Sequence, residues 1–150
     1  MVKILSIVVI ILGVVSIVIG GIFLGQAFIK NDLLVTAMNQ EQITLGIESD
    51  GLGTGEVIDS ANEAEIAADT VREHRHGIAP TYGDLLDGGR YDPSSMEQLT
   101  YAQALNLENY LYLAVLGFGV TQLAMGAGAF MIVTGIALGV TGVVLLQRSR

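Results

Sequence analysis

Cysteine is absent from this chain of 150 residues, and positive charge is scarce, with only seven lysine and arginine residues. A chain without cysteine forms no disulfide, offers no thiolate to a metal and has no thiol nucleophile. Two long apolar runs, residues 4–29 and 110–146, contain neither a charged side chain nor a histidine that would ligate haem. Proton relays, ion pathways and charge-coupled transport need ionisable groups inside the membrane. The sequence therefore argues against a stand-alone pump or transporter and predicts no cofactor.

Acidic residues, by contrast, are abundant between the two apolar runs. All fifteen aspartates and glutamates lie within residues 32–108, and residues 30–108 hold only four lysines and arginines. The remaining cations, Lys3, Arg148 and Arg150, lie near the two ends of the chain. An acidic segment of this kind repels phosphate, so nucleic acid is not expected as a partner.

The first apolar run has the length of a membrane-spanning helix. About 20 apolar residues in a helix cross the hydrocarbon core of a bilayer, and residues 4–29 exceed that length. Residues 25–27 match the small-x-small pattern of a signal cleavage site, but the run is longer than a usual signal core. We therefore predict a first transmembrane helix at residues 1–26, with the lipid bilayer as a partner.

The second apolar run belongs to a long helix, residues 110–147, which is too long for one perpendicular span. Three spans in total would leave Arg148 and Arg150 outside the cell, against the positive-inside bias. Two spans place both arginines in the cytoplasm together with Lys3. We therefore predict two spans, with the second at about residues 123–146.

This topology places both termini in the cytoplasm and residues 30–108 outside the membrane. The predicted organisation is a transmembrane helix, an acidic extracytoplasmic helical domain, a long helix with the second span, and a basic cytoplasmic end, at residues 1–26, 27–109, 110–147 and 148–150, respectively.

Residues 111–120 would then lie above the membrane although they are apolar almost all round. A helix of that kind must be covered, either by the extended part of the first helix and an alanine-rich helix or by a partner subunit. The alternative placement lets the helix tilt or break and puts Tyr110 and Tyr112 in the aromatic belt of the membrane.

Small residues recur every seven positions in both spans, and seven residues make two helical turns. Small side chains let two helices approach closely, so the two stripes are predicted to form a helix-packing seam within the hairpin or between copies. Gly135 and Gly139 form a GxxxG pair, as do Gly21 and Gly25. The first stripe is Ser6, Gly13, Gly20 and Ala27, and the second is Thr121, Gly128, Gly135 and Gly142.

The acidic segment contains signals for further helices. Ser60 and Glu63 have the spacing of a capping box, in which a serine caps the helix and a glutamate bonds back to it. They predict a helix at about residues 61–76, after a glycine-rich loop at residues 46–55. A second box, Ser94 with Glu97, predicts the start of the last helix, and a short turn is expected at residues 83–86.

The sharpest candidate for chemistry is the set Asp69, Glu73 and His76, which share one helix face. The spacing Glu73-x-x-His76 is the one by which helical bundles hold iron or manganese, but such a site needs a second copy of the motif. A solvated charged face with weak surface ion pairs is the alternative. His74 and His76 are also candidates for pH sensing, because histidine titrates near neutral pH.

Residues 68–85 of the acidic segment carry motifs that resemble those of a protein family. Residues 68–76 read Ala-Asp-Thr-Val-Arg-Glu-His-Arg-His, and residues 77–85 read Gly-Ile-Ala-Pro-Thr-Tyr-Gly-Asp-Leu. With the two-span layout, they resemble a family of small, uncharacterised bacterial membrane proteins, chiefly of actinobacteria. Some members are labelled aromatic ring-opening dioxygenases, but nothing here matches an iron site of two histidines and a glutamate. The resemblance implies no activity, and it implies that Thr81, Tyr82 and Leu85 lock the outer domain.

These observations predict an all-α membrane protein, a two-helix transmembrane hairpin with a small helical extracytoplasmic domain. The chain has no G-x-S-x-G elbow or other catalytic constellation, so an enzyme is not expected. The small-residue seam and the apolar stretch that needs cover favour a non-catalytic accessory or scaffold subunit of a larger membrane assembly. The alternatives are a self-associating structural protein whose acidic outer domain binds a partner, and a weak metal site at Glu73 and His76.

Overall fold

The computed structural model describes residues 2–44 and 55–149, and helices dominate it. No β-strand forms in these residues, where one isolated antiparallel bridge joins Thr44 and Val57. The predicted all-α class is confirmed. The loop predicted at residues 46–55 lies outside the described residues except for its last glycine. The helices are α1 (Val2–Glu41), α2 (Ala61–Ile78), α3 (Tyr82–Leu86) and α4 (Met96–Arg148).

Helix α1 passes through the first apolar run and continues well beyond it. The sequence predicts this continuation, because neither proline nor glycine occurs between Gln26 and Gly46. The helix ends at Glu41, and the next residue, Gln42, has a φ of 51°. That left-handed conformation breaks the helical repeat and turns the chain.

Helix α2 begins at the predicted capping box. The Ser60 hydroxyl accepts a hydrogen bond from the Glu63 backbone N–H at 3.3 Å, and the Glu63 carboxylate accepts one from the Ser60 N–H at 3.1 Å. The predicted box is confirmed. The helix ends at Ile78, where Ala79 turns to an extended conformation ahead of Pro80, which cannot continue the hydrogen-bond ladder.

A short helix, α3, occupies the position of the turn predicted at residues 83–86. The Thr81 hydroxyl accepts a hydrogen bond from the Asp84 N–H at 3.1 Å and so caps the helix. After Leu86, Asp87 takes a φ of 44° and ends it.

Helix α4 begins one residue later than the second predicted capping box requires. The residue that caps it is Ser95, whose hydroxyl accepts from the Gln98 N–H at 3.4 Å. The prediction of Ser94 and Glu97 as a capping box is wrong. The Ser94 hydroxyl instead donates to the Asp92 carboxylate at 2.6 Å, as part of the turn that precedes the helix.

Two of the helices, α1 and α4, are long and apolar enough to cross a membrane. Many of their large side chains are exposed, including Ile4, Leu123 and Phe130, each of which exposes more than 70% of its surface. Core helices of water-soluble proteins bury such residues. The surface that α1 and α4 present is thus apolar.

The chain divides into two compact units. Met1–Asp32 and Val120–Arg150 form one, here called the apolar unit, and Leu33–Gly119 forms the other, here called the acidic unit. The division falls inside α1 and α4. The domain borders predicted from the sequence lie after residues 26, 109 and 147.

The core of the acidic unit is small and rich in alanine. Ile58, Ala64, Ala67, Ala68 and Leu111 form its buried cluster. Alanine adds little bulk between helices, so the core stays thin. A thin core leaves more of the stability of this unit to polar contacts between the helices.

Candidate functional site

The two predicted stripes of small residues lie where α1 and α4 pack together in the apolar unit. A Cβ atom added to Gly13 would lie 2.7 Å from the carbonyl oxygen of Gly135, and one added to Gly20 would lie 2.6 Å from that of Gly128. Real Cβ atoms do not approach other atoms so closely, so the two backbones touch. All eight stripe residues are buried, namely Ser6, Gly13, Gly20, Ala27, Thr121, Gly128, Gly135 and Gly142.

The predicted glycines differ in how the helix pair uses them. A Cβ on Gly142 would meet a carbonyl oxygen of α1 at 3.0 Å, whereas a Cβ on Gly139 would meet nothing within 4 Å. Gly139 contributes through its backbone, because its nitrogen and Cα face Gly13. Gly21 and Gly25 have open space around them. The GxxxG pair of α1 therefore lies outside the α1–α4 contact.

Polar side chains join the two helices along the same seam. The Ser16 hydroxyl donates to the carbonyl oxygen of Met131 at 2.7 Å. The Thr121 hydroxyl donates to the Asn31 side-chain oxygen at 3.3 Å. Sequence reasoning missed Ser16 and Asn31, although Ser16 follows Gly13 by three residues and so shares its side of the helix. Such bonds hold the register of a helix pair that otherwise meets through backbone contacts.

In the acidic unit, a buried ion pair joins α2 to α4. The Arg75 Nε donates to the Glu108 carboxylate at 2.7 Å, and the two side chains expose 9% and 8% of their surface. Arg75 also donates to the Tyr101 hydroxyl, and its guanidinium carbon lies 4.9 Å from the centre of the Tyr101 ring. The bond to Glu108 raises the pKa of Arg75, against the opposing effect of burial. Arg75 is therefore held in its charged form between two partners.

Sequence reasoning missed this pair. Arg75 follows Ala64, Ala68 and Val71 at helical spacing, so it extends the apolar face of α2. A charged side chain on an apolar face needs a buried partner, so the position of Arg75 could have predicted an ion pair. Glu108 had no comparable signal, because it lies far away in the sequence among many other acids.

A second polar link between α2 and α4 lies at the surface of the acidic unit. The Tyr112 hydroxyl donates to the Asp69 carboxylate at 2.6 Å, and Arg72 donates to the Tyr112 hydroxyl at 2.6 Å. Arg72 and Asp69 also form an ion pair at 2.9 Å. Burial, followed by the hydrogen bond to Asp69, raises the pKa of Tyr112 to about 12. The phenol therefore keeps its proton at physiological pH.

Two of the three candidate metal residues, Asp69 and His76, have other contacts. Asp69 is occupied by Tyr112 and Arg72, and the Nε2 atom of His76 lies 3.2 Å from a guanidinium nitrogen of Arg75. Glu73 is exposed on the same helix. Within residues 2–44 and 55–149, no three His, Asp or Glu side chains stand close enough to hold a metal ion.

The two histidines lie on the surface of α2 near its end. The Nδ1 atom of His74 lies 2.8 Å from the carbonyl oxygen of Thr70 and donates to it, while His76 contacts Arg75. Both side chains are exposed. Sensing of pH by these histidines stays a prediction.

The turn residues that carry the family resemblance make local contacts. Thr81 caps α3, and its hydroxyl also donates to the Asp84 carboxylate at 2.7 Å. The Tyr82 ring lies 6.1 Å from the Tyr101 ring, next to the buried ion pair. Leu85 is half-buried. Within the acidic unit, the aromatic pair of Tyr82 and Tyr101 connects the turn to α4.

The apolar stretch at residues 111–120 is covered on one side within the acidic unit. Leu111 and Phe118 are buried. A Cβ added to Gly117 would lie 3.1 Å from a methyl group of Leu34, so α1 packs directly on α4 there. The extended part of α1 and the alanine-rich α2 thus supply cover for one side of this stretch.

The other side of α4 in the acidic unit carries two uncovered leucines. Leu113 exposes 59% of its surface and Leu116 exposes 63%, and they follow the exposed Asn106 and Asn109 at helical spacing. These four residues are called the outward face below. It is polar at its asparagine end and apolar at its leucine end.

Comparison of the chain with models of protein families, with curated proteins and with solved structures finds no match.

Proposed function

We propose that this chain is a non-catalytic accessory subunit of a larger membrane protein assembly, inserted as a two-helix hairpin. The length and apolar character of α1 and α4 support the insertion. Lys3, Arg148 and Arg150 support cytoplasmic termini under the positive-inside bias. In this orientation the acidic residues 30–108 lie outside the membrane, where a partner meets them.

The outer limit of the hydrocarbon region follows from the first charges after Lys3 in α1. Lys30 and Asp32 flank Asn31, whose side chain bonds Thr121 of α4. Charged side chains are expensive inside a bilayer. The hydrocarbon therefore ends close to Asn31 on α1 and to Thr121 on α4.

The outward face carries the proposal, because its leucines lie beyond that limit. Leu116 and Leu113 precede Thr121 by five and eight residues in the sequence. Lipid tails do not cover them there, and adjacent leucines exposed on a helix mark a contact surface for another protein. A partner subunit that covers both leucines accounts for their exposure.

Site-specific photo-crosslinking in native membranes tests the proposal. A photoreactive phenylalanine analogue at Leu116 is expected to capture one larger membrane protein, and the same analogue at Phe130 or Glu65 is not. Mild-detergent purification should recover that protein in fixed ratio with the wild type. The ratio should collapse with the double variant Leu113→Asn, Leu116→Asn, whose helix content should match the wild type.

Two outcomes contradict the accessory role. Capture of a second copy at Leu116, with a homo-oligomer in detergent, would move the assignment to the self-associating structural protein. Crosslinks to lipid alone at Leu116, with no protein recovered in fixed ratio, would place the leucines in the bilayer and remove the reason for a partner.

A further inference from the structure

A cleft of about 470 Å³ opens at the surface of the acidic unit, between the end of α1 and the first third of α4. Its volume falls in the range of small-molecule sites. The buried Leu111 and the half-buried Met38 contribute apolar surface to it. The full lining is Ala37, Met38, Glu41, Ile43, Tyr110, Leu111 and Ala114.

Two polar side chains stand in this apolar lining. Glu41 supplies a carboxylate, and Tyr110, which exposes 62% of its surface, supplies a ring and a hydroxyl. No lysine or arginine belongs to the lining, and within the described residues no side chain forms an ion pair with Glu41. The cleft thus combines a carboxylate, an aromatic ring and apolar walls.

We propose that this cleft binds a small organic cation that carries an apolar group, such as an aryl or alkyl ammonium compound. The carboxylate of Glu41 attracts the positive charge, and the ring of Tyr110 attracts a cation through its face. Met38, Leu111 and the alanines bury the apolar group. Glu41 would repel an anion, and a neutral ligand would make no ionic contact with its carboxylate.

The charge of the surrounding segment favours the same class of ligand. Residues 30–108 carry fifteen acidic side chains against four lysines and arginines. A surface of one sign raises the local concentration of small ions of the opposite sign. The site does not depend on the outward face, because neither Glu41 nor Met38 belongs to that face.

Methionine-methyl NMR of the full chain in neutral phosphatidylcholine nanodiscs tests the proposal, with benzyltrimethylammonium as the probe. The chain has five methionines, and Met38 is the one in the cleft lining. Its methyl signal should move and saturate as the probe is added. The signals of Met96, Met125 and Met131 should stay in place.

Two variants of equal charge separate the cleft from the general acidity of the surface. Glu41→Gln should weaken binding of the probe about fivefold, the scale of one charge contact in bulk water, because Glu41 is exposed to solvent. Glu65→Gln removes the same charge from the exposed side of α2 and should leave the affinity unchanged. Tyr110→Leu should weaken binding as well. Benzyl alcohol, which has the ring without the charge, should bind more weakly than the cation.

Three results would overturn the assignment. Equal affinity in wild type and Glu41→Gln would remove the role of the carboxylate. Parallel movement of the Met125 and Met131 signals would mean that the probe dissolves in the bilayer. A Met38 signal that never saturates would leave only diffuse attraction to the acidic surface. None of these results bears on the crosslink at Leu116, so the ligand site and the accessory role are tested independently.

Discussion

Gly20 of α1 and Gly128 of α4 each occupy the space that a side chain on the other would need. A Cβ on Gly20 would lie 2.6 Å from the Gly128 carbonyl oxygen, and a Cβ on Gly128 would lie 2.8 Å from the Gly20 carbonyl oxygen. Neither obstacle is a flexible side chain that moves aside. The helix spacing at this level is therefore set by backbone contact, and any larger residue must push the helices apart.

Substitution of alanine for Gly20 or Gly128 should loosen the helix pair. Overpacking at a backbone contact costs roughly 1–3 kcal/mol, whereas Gly21→Ala, in open space, should be neutral or slightly stabilising because alanine favours the helix. Because the chain lacks cysteine, cysteines introduced at Val2 and Gln147 accept dyes without background. Energy transfer between the dyes during titration with sodium dodecyl sulfate reports separation of the helices.

The control variant Gly21→Ala separates the effect of the close contact from the effect of losing a glycine. If Gly21→Ala separates the helices as easily as Gly20→Ala, the effect belongs to the loss of glycine in general and the close contact is not responsible. If Gly20→Ala leaves the midpoint unchanged, the backbones are not in contact at this position.

Loss of Arg75 should destabilise the acidic unit far more than loss of Arg72. Arg75→Met leaves the Glu108 carboxylate buried without its partner, which costs about 3 kcal/mol. Arg72→Met removes an exposed pair with Asp69, worth less than about 1 kcal/mol. Hydrogen exchange of the α2 amides, in the intact protein in nanodiscs, measures both.

A double variant separates the charge effect from the loss of packing. With Arg75→Met and Glu108→Leu together, no charge is left buried, and protection of the α2 amides should recover in large part. Equal loss of protection in the double and the single variant would mean that the bond to Tyr101 and the packing of the arginine, rather than the pair itself, hold α2.

Features that are local or periodic in the sequence could be predicted, whereas contacts between residues far apart in the sequence could not. The all-α class, the two long apolar helices and the Ser60 capping box are local or periodic features, and the structure confirms them. The bond between Arg75 and Glu108 joins residues on different helices, and no spacing rule connects them. Ser95 rather than Ser94 caps α4, because the Asp92 carboxylate bonds the Ser94 hydroxyl.

Tyr112 should make the stability of the acidic unit depend on pH in the alkaline range. Burial and the bond to Asp69 raise its pKa to about 12, whereas tyrosine in an unfolded chain titrates near pH 10. The folded state thus holds this proton more tightly. Its contribution to stability is complete below about pH 10 and is lost as the pH rises through the folded pKa near 12.

Ultraviolet titration of tyrosinate measures this directly, because the chain has only five tyrosines. One of them should ionise last, near pH 12, and Tyr112→Phe should remove that step while Tyr110→Phe keeps it. Asp69→Asn should bring the last step to lower pH, since the carboxylate helps to hold the proton. A wild-type titration without a late step would contradict the bond between Tyr112 and Asp69.

Ser60→Ala should fray the start of α2, and Ser94→Ala should leave the start of α4 intact. The Ser60 hydroxyl satisfies the Glu63 N–H, and loss of such a cap costs about 1 kcal/mol. The Ser94 hydroxyl bonds Asp92 in the preceding turn and caps nothing. Hydrogen exchange should therefore speed up at Glu63 by about fivefold in Ser60→Ala if local opening limits exchange there. Equal fraying of the start of α4 in Ser94→Ala would mean that Ser94, and not Ser95, caps that helix.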